Sequence, residues 1–188
     1  MKAIPMIRRF WKEDYGAVAI EFGLVISTLI VILMGCFEAG RYILLNQKLD
    51  RTSSSIADLI AQADNVTTGV LNDTYAAADE QTLPFDLATH GRVIVSSVYK
   101  PDTSDPKVQW QCEGGGSYAS ATSAIGSEGG TADMPTTFSV DVGENVVVAE
   151  VFYDYEPFLF GGIFQPAVFR HTSFMRPRGS LLVADPGC

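Results

Sequence analysis

No proline falls between residues 17 and 63, so nothing in that stretch forbids one uninterrupted helix. Histidine occurs only at His90 and His171, and each stands alone and reads as a surface or satisfied polar residue rather than a ligand. The chain has no Gly-x-Ser-x-Gly elbow, no phosphate loop and no His-Glu-x-x-His pair. Those gaps argue against a hydrolase, a nucleotide-binding enzyme or a zinc protease. The expectation is a protein that is not an enzyme and uses no cofactor. Asp102/Asp105 and Asp154/Glu156 offer too few ligands for calcium and read as turn and solvated-face residues. Basic residues are scarce after residue 16, nine against twenty acidic ones, which argues against nucleic acid as a partner.

What is present is concentrated at the start. Residues 1–16 carry Lys2, Arg8, Arg9 and Lys12 against Glu13 and Asp14, a net of +2, and the remainder carries −11, for −9 in total. Ala17–Phe37 then forms a run of 21 residues interrupted by one charge, Glu21. A bilayer needs about 20 apolar residues at about 1.5 Å each, whereas a secretory signal core is shorter, about 7–15. Basic flanks stay cytoplasmic, so the head faces in and the acidic remainder faces out. An ordinary single-pass anchor would explain length and orientation but not Glu21, because a carboxylate in hydrocarbon is costly unless paired.

Helical periodicity continues beyond the apolar run. Tyr42, Leu45, Leu49, Thr52, Ile56, Leu59 or Ile60, and Ala63 recur at spacings of three and four, one stripe on a 3.6-residue period. A helix over 17–63 would be about 70 Å long, half in the membrane and half laid on a domain, with stop signals at Asp64-Asn65 and Thr67-Thr68-Gly69. Residues 70–91 read as a short helical or irregular connector broken at Leu83-Pro84-Phe85. Strand signals lie at 92–99, 107–111, 145–155 and 167–175, the first two joined as an antiparallel hairpin through Pro101–Pro106. Residues 113–133, rich in Gly, Ser, Ala and Thr, read as a flexible or irregular surface loop. Helix first and strands after give α+β: a long helix covering one face of an antiparallel sheet. The expected divisions are 1–16, 17–37, 38–63 and 64–188.

The string Tyr15-Gly16-Ala17-Val18-Ala19-Ile20-Glu21-Phe22 resembles the type IV prepilin processing site, with the Glu-Phe pair and short basic head closest to the Tad (Flp) pilus branch. Segments 93–98, 108–111, 150–157 and 174–178 resemble, in order, parts of TadE/TadF-like minor pseudopilins. Major Flp pilins are much shorter and lack a folded domain of this size. The resemblance implies cleavage between Gly16 and Ala17 by a membrane-embedded prepilin peptidase, with glycine admitting the backbone to a narrow active site. It further implies that the new Ala17 amine pairs with Glu21 of a neighbouring subunit, each offsetting the other's desolvation. The implied partners are the peptidase, other pilus subunits and the inner-membrane assembly platform. The implied location is a bacterial inner membrane, single-pass, with the C-terminal domain periplasmic or carried into a pilus. Leu33-Met34-Gly35-Cys36 also resembles a lipobox, which would make Cys36 a lipid anchor, but Met fits poorly there and the helical pattern runs through it. A small apolar cysteine buried in a helix is the plainer reading.

On the outer side of a bacterial membrane, Cys112 and Cys188 can oxidise, and a disulfide between them is the expectation, with a free Cys188 as the alternative. Aromatic density in the last third reads as core. The run Phe158-Leu159-Phe160-Gly161-Gly162-Ile163-Phe164 offers a second reading, an exposed apolar contact for another subunit.

Overall fold

The computed structural model describes residues 15–136, 138–158 and 165–188, with side chains from Val18 onward. Helix α1 spans Tyr15–Ala61 without interruption. It is followed by α2 (Thr68–Thr82) and the single turn α3 (Leu87–His90). Strands β1 (Gly91–Tyr99), β2 (Lys107–Gly114), β3 (Asn145–Tyr155) and β4 (Ala167–Met175) complete the order. All neighbours are antiparallel, in the sheet order β2-β1-β3-β4. The α+β expectation holds. The connector proves to be regular helix, with the Thr67 side chain accepting from the Val70 N–H at the start of α2 and Asp86 accepting from Thr89 before α3.

Strand pleating assigns alternate residues to opposite faces. Val93 and Val95, Trp110 and Cys112, Val147, Ala149, Val151, Tyr153 and Tyr155, and Phe169 share one face and one core with Leu45, Leu49, Ile56 and Ile60 of α1. Leu71, Tyr75 and Ala78 of α2 join them. Of the two candidates at the stripe's sixth position, Ile60 is fully buried and Leu59 is exposed. Where α1 crosses β4 the contact is made by small hydroxyls: Ser53 and Ser54 both lie within hydrogen-bond distance of Ser173, at 2.9 and 3.0 Å.

The opposite face is not open to water. Between β2 and β3 the chain must pass from one side of β1 to the other, and it does so across this second face. Ala121 packs on Ile94 and Phe152, and Ile125, Ala132 and Val140 pack on Val98, Val108, Val146 and Val148. Beyond the end of β2 at Gly114, residues 115–133 are irregular, one of the two expectations, but packed on the sheet rather than flexible. Glu150, fully buried in β3, anchors the crossing: it accepts hydrogen bonds from the Ser123 hydroxyl and, at 3.1 Å, from the Ala124 N–H. Further along, Gly129 and Gly130 exchange backbone bonds with Val108 at 2.8 and 3.0 Å. That pairing covers the free edge of β2, which an exposed strand would leave open to stray association. The glycines have a use at the exit from β2. Gly115 sits at φ +69°, and a Cβ on Gly116 would collide with the Gly91 carbonyl. The result is a layered domain of helices, sheet and an irregular cover.

Candidate functional site on the N-terminal helix

The Gly16–Ala17 bond lies in the first turn of α1, and Glu21 lies five residues on, about 7.5 Å along the axis. Over Val18–Phe37 no described side chain is buried. Val18, Ile20, Phe22, Leu24 and Leu33 are each 62–70% exposed, and with exposed Ile30 and Ile32 they surround the helix. A helix apolar all round belongs in a bilayer or inside an assembly of helices. Its length and composition suffice to cross a membrane: the best 18-residue window has a mean hydropathy of 2.4. The small polar side chains in the run are satisfied internally, as hydrocarbon requires. The Ser27 hydroxyl donates to the Gly23 carbonyl at 2.7 Å, and Thr28 donates to Leu24 at 3.0 Å. Glu21 differs. Among the described residues it has no partner.

Packing against the domain begins at Glu38, the first buried residue along α1. Its carboxylate is fully buried and accepts from the Tyr155 hydroxyl and, at 3.2 Å, from the Phe158 N–H, with the Arg41 guanidinium 3.9 Å away. Burial, and secondarily the bond to Glu38, push the Tyr155 hydroxyl up to about 12. Tyr42 closes the cluster by meeting Tyr155 and Phe169 edge-on at 5.6 and 4.8 Å. Sequence reasoning passed over this clasp. The signal was an acid one turn ahead of Tyr42 and two ahead of Leu45, in phase with the buried stripe.

The remaining candidates divide. Cys112 and Cys188 form a disulfide, with Cα atoms 5.8 Å apart. The tail reaches it along a series of fixed points. Arg178 donates its N–H to the Ala61 carbonyl at the end of α1. Leu182 enters the core, its N–H donating to Asn145 Oδ1 and its carbonyl accepting from Ser97 Oγ and Trp110 Nε1 at 2.7 and 2.8 Å. Cys36 is free and exposed on α1, not buried. Phe152, Tyr153, Tyr155 and Phe169 are core, whereas Phe158 is 72% exposed; Phe160 and Phe164 lie outside the described residues. His171 faces Asp50 at 3.7 Å and His90 tilts against the Tyr153 ring. Hydrogen bonding from the Ser104 side chain and then from its N–H, 2.7 Å from Asp102 Oδ1, holds the Asp102 carboxyl below the usual range and fits a turn role. Among the described residues no cluster of His, Cys, Asp or Glu could hold a metal.

A long helix, bare and apolar for its first half and docked on an antiparallel sheet for its second, defines a helix-anchored α+β protein. Residues 16–58 match the model of the TadE-like protein family, and the chain is TadE-like along that helix. The match begins at Gly16 and ends at Asp58 within α1, so it contains Glu21 and Glu38 but none of the sheet. No curated protein matches, and no solved structure does.

Proposed function

We propose that this protein is a minor pseudopilin of a Tad-type adhesion pilus, cut between Gly16 and Ala17 by a prepilin peptidase and required for initiation, tip structure or assembly of the fibre. The observation that carries the reading is Glu21. It is the one charge in the apolar run Ala17–Phe37, five residues past a glycine, and its own chain supplies it no partner among the described residues. A carboxylate in hydrocarbon needs a counter-charge, and cleavage creates one: the Ala17 amine, itself costly to bury alone. Paired across two subunits, each offsets the other's desolvation, and the pairing sets the register between them. The unbroken helix then fixes the domain relative to that register. The acidic domain stays on the outer side, because the basic residues of the head remain inside.

Mass spectrometry of the polypeptide recovered from native membranes tests the cut: the mature chain starts at Ala17. A chain that retains residues 1–16 while fibres form normally overturns the proposal and leaves a permanently anchored periplasmic protein. Glu21→Ala tests the pairing. It inserts and folds as the parent does but supports no pili, counted by electron microscopy, and normal piliation in that variant removes Glu21 from assembly.

A further inference from the structure

We propose that Phe158, three residues past the end of β3, together with Arg41, is a membrane-interface anchor that sits in the outer headgroup layer and holds the domain at a fixed height and tilt on the bilayer. This rests on α1 crossing the membrane but not on cleavage at Gly16. The Phe158 N–H is bonded to Glu38 at 3.2 Å, and Glu38 is the residue immediately after the apolar run ends at Phe37. Phe158 is thereby placed at the height where hydrocarbon gives way to headgroups. It cannot drift from that level without uncovering a buried carboxylate, which is strongly disfavoured.

The chemistry at this height fits an interface. Aromatic rings prefer the boundary between acyl chain and headgroup, and Phe158 offers 72% of its surface outward. The apolar surface of α1 runs up to this level through Phe37, 54% exposed. Arg41 stands over the Phe158 ring at 5.6 Å and over Phe85 at 5.8 Å, its guanidinium turned back to within 3.9 Å of Glu38, which puts a cation at the level of Phe158. Beside it opens a cleft of about 280 Å3 whose lining includes Arg41, His90, Asp154, Glu156 and Phe158. Charges of both signs in one cleft suit zwitterionic headgroups, phosphate toward Arg41 and ammonium toward the acids. The sequence offered Phe158 as part of a contact for another subunit; its height, set by Glu38, favours lipid.

The test uses the full chain in phosphatidylethanolamine/phosphatidylcholine vesicles, sparsely reconstituted, with the disulfide intact. Nitroxide labels go on native Cys36 or, in a Cys36→Ser background, on Phe158→Cys or on exposed Val142→Cys as a domain control. Relative accessibility to oxygen and to a water-soluble nickel complex reports depth. The Phe158 label is expected several-fold richer in oxygen over nickel contact than the Val142 label, and shallower than the Cys36 label. A Phe158 label as nickel-accessible as the Val142 label overturns the anchor. Dipolar broadening between Phe158 labels overturns it in favour of a second copy. A water-exposed Cys36 label overturns the spanning helix, and the anchor with it, whereas an uncut N-terminus has no bearing on the anchor.

Discussion

The two halves of α1 have the same backbone and opposite surroundings. From Val18 to Phe37 the helix keeps its large apolar side chains exposed, while from Glu38 to Ala61 it buries Leu45, Leu49, Ile56 and Ile60 against the sheet. Apolar content falls from 15 of 20 residues in Val18–Phe37 to 11 of 24 in Glu38–Ala61. The arrangement changes with it: apolar residues lie on all sides in the first half and on one stripe in the second. All-round apolarity calls for a solvent other than water, and a stripe calls for a protein surface. The two carboxylates follow the same division. Glu38 has its partners inside the domain, whereas Glu21 has none among the described residues.

Substitutions in the two halves should therefore fail in different ways. The largest contrast is between Ile30→Asp and Leu49→Asp. The first leaves the domain's melting transition in place but drives the chain out of the membrane fraction, since a central acid costs about 2.5–3.5 kcal/mol of insertion. The second unfolds the domain, because Leu49 is fully buried. If both variants merely lower the melting point, the comparison is wrong. Leu49→Ala sharpens it, with a loss of about 2–5 kcal/mol in chemical denaturation against no change for Ile30→Ala. Cys188→Ser, far from either half, frees a tail that closes a separation of 76 residues and should cost about 2–4 kcal/mol.

The smallest effect is at high pH. Tyr155 titrates at about 12 in the fold against an ordinary 10.0. The folded state then holds the proton more tightly, so its stabilisation is complete below pH 10 and is lost as pH rises toward 12. Tyr75 and Tyr153 are shifted upward as well, chiefly by burial. Tyr155→Phe should thus flatten, without abolishing, the alkaline fall in melting temperature. An unchanged slope would mean that the Tyr155–Glu38 contact does not govern it.

Much of this was legible from local pattern. Strand β3 was bounded at Asn145 and Tyr155 by β-branched content and the following Glu-Pro, and β4 at Ala167 and Met175, because turn residues end ladders whatever lies around them. The near-continuous apolar run of β3 also carried an unread message. A strand with one wet face alternates, and one covered on both faces does not. The cover was hidden because its glycines, serines and alanines look like a linker until the apolar ones are seen spaced over the sheet.

By itself, then, the sequence determined the helix, its change from all-round to one-sided apolarity, the strands, and the isolation of Glu21, because each depends on neighbours within a few residues. Only the tertiary structure decided that residues 113–133 are a lid, that Asn145 and Ser97 receive the Leu182 tail, and that Glu38 clasps Tyr155 and Phe158. Those contacts join positions 26–120 residues apart. Their energy comes from removing polar groups from water in pairs, and a pair has no signature until the fold brings its members together.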